Sequence, residues 1–193
     1  MQATQNQPVV KDLHDRIELA SYTPQHVANF FLDKADAEDV ALAQMKLLKL
    51  VYIAYGWVLA LTGKRLFAEP IEAWRHGPVV SSLYHEFKHF RDAPISGRSL
   101  HFDLDNSEAT APRIPATDTR TTMILSKVWA VYKVFTAWTL RNKTHEVGSP
   151  WDVVYKERGQ NASLRDSDIA KHYRDRIARY VEAARADDGR RSS

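Results

Sequence analysis

The stretch KLLKLVYIAYGWVLALT, Lys46 to Thr62, decides the fold of this chain. Apolar side chains recur along it at helical spacing and form one continuous stripe: Leu47, Leu50, Val51, Ala54, Val58 and Leu61. Tyrosine, tryptophan and methionine side chains widen this stripe until little polar face remains, which is typical of a helix at the centre of a domain. We therefore predict a central helix from about Ala41 to Thr62, ended by Gly63.

Length and composition limit what surrounds this helix. The chain has 193 residues, of which 44% are hydrophobic, and this suits one domain with a core of its own. It has no cysteine, which excludes a disulfide scaffold and thiol catalysis and fits a reducing cytoplasm. The net charge of +3 is too small to argue for a nucleic-acid partner. The apolar run Val51–Leu61 is too short to span a bilayer, so no membrane partner is expected.

The remaining helical patterns predict a mainly α fold. Thr23 followed by Pro24, and Ser149 followed by Pro150, are start signals, since a hydroxyl can cap a helix and proline suits its first position. Other helices are predicted at about 78–91, from 118 to a bend near Thr136, onward to 146, and at 166–186. We expect a compact helical domain over 22–186, a partly disordered lead-in at 1–21 and a disordered tail at 187–193.

Between the central helix and the next one, the pattern changes to short extended pieces. Residues 65–68 and 71–75 flank Glu69-Pro70 without helical spacing. We interpret them as the two strands of a small β-hairpin or ribbon that lies on the helices.

The stretch RHGPVV that follows reads as a joint between this ribbon and a helix. Pro78 suits a first helical position, and Gly77 has no side chain to cap the free N–H groups. Those groups can receive an anion beside Arg75 and His76, or a carboxylate such as Glu72 or a nearby serine can satisfy them from within the chain. We interpret the stretch first as an architectural joint.

The segment HEFKH, His85 to His89, matches the zinc-protease pattern H-E-x-x-H. Two histidines one turn apart can share a zinc ion, and a glutamate between them can act as general base. The extended form of the pattern needs glycine where Asp92 stands and histidine where Ile95 stands. Both histidines also fall opposite the apolar face of the predicted helix. The favoured interpretation is therefore a solvated face, with no metal and no cofactor.

Two lysines, Lys46 and Lys49, share one side of the central helix. One interpretation has both amines reaching solvent from the early turns. In the other they form a cationic edge beside a groove lined by Ile53, Gly56 and Ala60, which receives a protein partner. No glycine-rich phosphate loop and no G-x-S-x-G elbow is present in the sequence.

Four segments together closely resemble the Panacea domain, the SocA-like antitoxin family that also includes phage-associated GepA-like proteins. They are KLLKLVYIAYGW at 46–57, LFAEPIEAW at 66–74, GPVVSSLY at 77–84 and THEVGSPW at 144–151. The resemblance carries over these residues: Lys46, Lys49, Tyr52, Trp57, Glu72, Trp74, Gly77, Pro78, Tyr84, His145 and Trp151. We expect most of them to hold the domain together.

The resemblance implies an antitoxin of a toxin–antitoxin system or a related mobile genetic element, located in the cytoplasm. Such a protein neutralises a cognate protein toxin by direct binding, without catalysis or a cofactor. A first alternative is a proteolytic adaptor that presents the toxin to a cellular protease, and a second is a zinc hydrolase built on His85 and His89. For a binding protein, the residues predicted to contact the partner are Lys46, Lys49, Arg75 and His76.

Overall fold

The computed structural model describes residues 22–103 and 107–191. Its α-helices are α1 (Pro24–Ala37), α2 (Gln44–Thr62), α3 (Ser81–Phe87), α4 (Thr119–Tyr132), α5 (Ala137–Thr144), α6 (Pro150–Arg158) and α7 (Asp166–Arg191), with a 3-10 turn at Lys88–Phe90. The strands are β1 (Glu72–Trp74), β2 (Gly77–Val79), β3 (His101–Asp103), β4 (Glu108–Thr110) and β5 (Ala162–Ser163). The prediction of a mainly α domain with a small hairpin is confirmed, and the predicted lead-in at 1–21 lies outside the described residues.

Helix α2 is the centre of the domain, as its apolar sequence predicts. It packs against α1, α4, α5 and α7, so that helices cover it on several sides. Tyr52 and Trp57 are buried in this helix, and Phe87 of α3 is buried as well, as predicted. By length and composition α2 could also cross a membrane, but 72% of its 18-residue apolar window is buried inside the protein. This burial is that of a core helix, and the cytoplasmic location stays a prediction.

The line of small residues along α2 is filled by the chain itself. A Cβ atom placed on Gly56 would lie 2.0 Å from Cδ2 of Tyr173 in α7, so only glycine allows the two helices to pack at this distance. Tyr173 also meets the ring of Tyr52 edge-on, at 5.7 Å between ring centroids. The expectation of a partner groove at Ile53, Gly56 and Ala60 is therefore wrong, because α7 occupies it.

The signals Thr23-Pro24 and Ser149-Pro150 place two helix starts correctly. Helix α1 begins at Pro24, where the backbone N–H of Thr23 donates to Nδ1 of His26 at 3.2 Å. Helix α6 begins at Pro150, with the Ser149 side chain accepting a hydrogen bond from the backbone of Asp152. Helix α7 continues to Arg191, past the predicted start of the tail at residue 187. The division into lead-in, domain and tail remains a prediction.

The hairpin lies one strand later than predicted. β1 pairs with β2 and with β5 in the order β2-β1-β5, and the two-residue turn Arg75-His76 connects β1 to β2. Residues 65–68 form no strand, and Phe67 makes only an isolated bridge to Tyr22. Strands β3 and β4 pair antiparallel and form a separate two-stranded sheet between α3 and α4.

Gly77 and Pro78 therefore belong to a strand, and the prediction that a helix starts at Pro78 is wrong. Gly77 has φ +103°, which helps close the tight turn and which few other residues adopt. Pro78 has no N–H to donate, and β2 is an edge strand, where proline is tolerated. Helix α3 begins three residues later, at Ser81, after Val80 in extended geometry. The alternative of an anion site at helix N–H groups beside Gly77 is therefore wrong, because no helix starts there.

Candidate functional site

Lys49 lies in the interior of the protein, on the side of α2 that faces β2. Its residue is only 2% exposed, and its Nζ donates a hydrogen bond of 3.0 Å to the carbonyl oxygen of Pro78. The expectation that Lys49 reaches solvent is therefore wrong, because the hairpin and α5 pack over this part of α2. Among the residues that the structure describes, no carboxylate forms an ion pair with this amine.

His145 and Trp151 connect the end of α5 and the start of α6 to the hairpin. The His145 ring, at the C-terminal end of α5, stacks on the Trp151 ring with 3.6 Å between centroids and 20° between planes. The Trp151 indole Nε1 donates to the carbonyl oxygen of Trp74 at 2.8 Å. This contact ties the start of α6 to the last residue of β1. The segments 72–77 and 145–151, far apart in sequence, meet here.

Gly77 lies between Lys49 and His145 with no room to spare. A Cβ atom on Gly77 would lie 2.8 Å from Nε2 of His145 and 2.9 Å from Nζ of Lys49. These distances are shorter than real Cβ contacts, so a side chain here would displace one of the two basic groups. Glycine is thus needed twice at this position, once for its backbone conformation and once for its size.

Burial and like charge weaken the basicity of this cluster. Burial, and secondarily the nearby Arg141 guanidinium, lower the pKa of Lys49 to about 7. Burial, Arg141 and then Lys49 lower the pKa of His145 to about 4. At neutral pH the histidine is therefore uncharged, and the lysine is near its midpoint. The cluster holds basic groups close together with little to compensate their charge.

A second set of motif residues flanks the turn on its other side. The Trp74 indole Nε1 donates to the Glu72 carboxylate at 2.7 Å, and the Trp74 ring lies 4.9 Å from the Tyr84 ring. The alternative in which Glu72 satisfies helix N–H groups is therefore wrong, since its carboxylate accepts a hydrogen bond from an indole on the same strand.

Part of each set lines an open cavity of about 400 Å³, whereas His145, Trp151 and Glu72 are not part of its lining. The lining includes Lys49, Gly77 and the aromatic rings of Trp74 and Tyr84, together with apolar side chains of α2. Arg75 and His76 are exposed in the turn and also line the cavity, and their predicted contact with a partner stays a prediction. The arrangement is suited to binding, because it combines basic donors with flat apolar walls.

Comparison with known proteins identifies the family. The model of the family described as "Antitoxin SocA-like, Panacea domain" matches residues 47–152. Antitoxin SocA of Caulobacter vibrioides (strain NA1000 / CB15N) is 31% identical over 138 residues, which cover 72% of this chain and 73% of that protein. The chain belongs to the SocA-like Panacea family. No solved structure matches it.

The Panacea match coincides with the architecture just described. The matched residues run from the first turn of α2 to the first turn of α6. They therefore include most of the residues that line the cavity and all of the hairpin formed by β1 and β2. Lys49, Gly77, His145 and Trp151, which the resemblance singled out from separate segments, form one contiguous cluster within this span.

The other Panacea motif residues lie elsewhere. Tyr52 faces α7, and the Trp57 ring lies 6.2 Å from the Tyr132 ring of α4, so both belong to the core. Lys46 is partly buried, and its Nζ donates to the carbonyl oxygen of Lys133 at 2.5 Å. Lys46 and Lys49 thus bind different parts of the chain and do not form the single cationic edge that their spacing predicted.

The histidines of the HEFKH segment do not share one helical face. Helix α3 ends at Phe87, and His89 lies in the 3-10 turn that follows. The His85 ring lies 5.4 Å from the Tyr84 ring and the His89 ring 4.1 Å from the Phe90 ring, and both histidines are exposed. Over residues 22–103 and 107–191, no group of three or more His, Asp or Glu side chains is placed to hold a metal ion.

Sequence reasoning missed the exposed surface around α5. Trp138 is 59% exposed and Val134 is 73% exposed, although Trp138 continues the helical spacing of the buried residues Ile124 and Val128. The helical pattern is interrupted before Thr136, whose side chain caps α5. This interruption changes the direction in which the side chains of α5 point. The Arg141 guanidinium carbon lies 5.7 Å from the centre of the Trp138 ring. The bend near Thr136 was predicted from the sequence, but its effect on the orientation of Trp138 was not.

Proposed function

We propose that this chain is an antitoxin that neutralises a cognate protein toxin by forming a direct complex with it. The observation that carries the proposal is the family assignment, supported by 31% identity to a protein named Antitoxin SocA. The matched span includes the whole centre of the domain, so the likeness extends to the fold and is not confined to one short motif. Neutralisation by binding requires no catalytic step.

The surface around α5 is our candidate for toxin contact. Trp138 and Val134 are large apolar side chains that the described residues leave exposed, and Arg141 lies over the tryptophan ring. Exposed tryptophan and arginine are the residue types that most often dominate protein interfaces. We name Val134, Trp138 and Arg141 the α5 patch.

The turn at Arg75 and His76 is our candidate for the charged rim of the same interface. The support for this placement is that α5 packs beside β2, the strand that the turn immediately precedes. Rim charges accelerate association more than they slow release. Lys49 is buried and is therefore not part of this proposed interface. Lys46 is partly buried, so only the exposed part of its side chain can contact the toxin.

The test is co-expression with the toxin encoded beside this gene. Wild-type chain is expected to restore growth and to co-purify with the toxin. Trp138→Ala is expected to weaken the complex at least about tenfold, with no change in circular dichroism. The matched control is Phe102→Ala, which removes an aromatic side chain 55% exposed on β3, away from α5. Equal binding by wild type and Trp138→Ala would contradict the α5 patch.

A second comparison separates blocking from delivery to a protease. We expect the toxin to stay at constant abundance while growth is restored, in cells with and without the major unfolding protease. If the cells that lack the protease are no longer protected, and toxin abundance is higher in them, the chain acts as an adaptor. The direct-binding proposal then fails, although the antitoxin role remains.

A further inference from the structure

The cavity beside Lys49 has the features of a ligand site of its own. We propose that it binds a small anionic molecule in which a carboxylate or phosphate group is attached to a planar apolar body. The inference does not rest on the antitoxin role, since it follows from the lining of the cavity alone.

The first argument is the state of the lysine amine. An ammonium group carries three N–H donors, and the Lys49 amine has one hydrogen bond, to Pro78, among the described residues. Buried charged groups are ordinarily paired with an opposite charge. Here the neighbouring ionisable groups, Arg141 and His145, are basic too. An anion that enters the cavity supplies the compensation that the protein itself does not provide.

The second argument is the charge at the rim. Arg75 and Arg91 line the same cavity, and both are exposed. Neither makes an ion pair within the described parts of the chain, whereas the rim carries one carboxylate, that of Asp92. The basic side chains thus outnumber the acidic one, which favours a negatively charged ligand.

The third argument is the shape of the cavity. Its volume of about 400 Å³ falls within the range of small-molecule sites, roughly 300–1,000 Å³. Trp74 and Tyr84 provide aromatic walls, and Met45, Leu48 and Val79 add apolar surface. A single acidic side chain from a protein would leave most of this space empty. The cavity therefore favours a small molecule with a flat body over an inserted aspartate or glutamate.

Binding of such an anion is coupled to a proton. Because the Lys49 pKa is lowered to about 7, part of the population is neutral at that pH, and an anion binds the protonated part. Affinity is therefore expected to fall as pH rises above about 7, with proton uptake on binding. The charged and titratable groups that face this region are Arg141 and His145 from α5, Arg75 and His76 from the turn, and Arg91 and Asp92 after α3.

The experiment is calorimetric titration of the full chain with four probes. Adenosine monophosphate and benzoate carry both an anion and a planar body, inorganic phosphate carries only the anion, and adenosine only the body. We expect at least one of the first two to bind at least about tenfold more tightly than phosphate and adenosine. Absence of binding by both up to about 10 mM would overturn the proposal.

Variants locate the site. Lys49→Met is expected to weaken binding of the positive probe at least about tenfold, and to remove its decline above pH 7. The control Lys127→Met removes a lysine exposed on α4 and is expected to bind like wild type. If Lys49→Met does not fold, Arg91→Ala, at an exposed position, is expected to weaken binding severalfold. Unchanged binding by a folded Lys49→Met chain, or by Arg91→Ala, would contradict the assigned cavity.

Discussion

Replacing Gly77 by alanine tests the packing of the buried cluster directly. The added methyl group would lie 2.8 Å from Nε2 of His145 and 2.9 Å from Nζ of Lys49, on a backbone with φ +103°. Gly97 offers a matched control, because its φ is +110° and a Cβ atom there would meet nothing within 4 Å. Both substitutions place alanine on a backbone with positive φ, but only the one at Gly77 brings the new methyl group against Lys49 and His145.

The magnitudes follow from these two terms. Holding a non-glycine residue in a sparsely populated backbone conformation costs about 1–3 kcal/mol, and this applies at both positions. Forcing extra volume into a packed interior adds about 1–3 kcal/mol, and this applies only at Gly77. Gly77→Ala is therefore expected to lower the free energy of unfolding by about 2 kcal/mol more than Gly97→Ala does.

Urea unfolding followed by circular dichroism measures this difference. The two variants and the wild type are compared at one pH, and the difference in midpoint is converted with a common slope. Losses for Gly77→Ala and Gly97→Ala that agree within about 0.5 kcal/mol would refute the reasoning, because the contact with Lys49 and His145 would then carry no energy.

Three further substitutions test other parts of the account. Gly56→Ala is expected to destabilise the fold by about 2 kcal/mol or more, because its methyl group would overlap the Tyr173 ring, and a loss below about 0.5 kcal/mol in urea would contradict this. Lys49→Met removes a buried amine whose pKa is lowered from 10.5 to about 7. Between these pH values the unfolded chain holds a proton that the folded chain lacks, so the stability of the wild type is expected to rise with pH relative to that of the variant. Parallel profiles of stability against pH would contradict the burial of Lys49. His85→Ala combined with His89→Ala is expected to change stability by less than about 0.5 kcal/mol and to leave toxin binding intact, because both side chains are exposed; stoichiometric zinc that is lost on this double change would contradict the expectation.

The parts of the fold that the sequence predicts are those fixed by local or periodic signals. The apolar stripe along α2 specifies its burial, because no arrangement of the chain can expose so many large side chains at low cost. Pro24 and Pro150, each after a hydroxyl residue, mark helix starts through short-range hydrogen bonding and fixed φ.

The errors arise where long-range pairing decides between two local possibilities. Gly77-Pro78 is compatible with a helix start and with an edge strand, and pairing with β1 selects the strand. Lys49 reads as a surface lysine because no neighbour in sequence reveals that the hairpin covers it. Only the resemblance to a family linked the segments that meet at Lys49, and it did so without indicating their contact.

The most direct test of the proposed function is reconstitution from purified parts, without any protease. The product of the neighbouring gene, which is the proposed toxin, is purified, its inhibitory activity is measured, and purified wild-type chain is added in increasing amounts. Direct neutralisation predicts that the inhibitory activity of the toxin falls in step with formation of a stable complex, which elutes as one species on size exclusion. Full toxin activity in the presence of excess folded chain, with no complex on the column, would contradict the account.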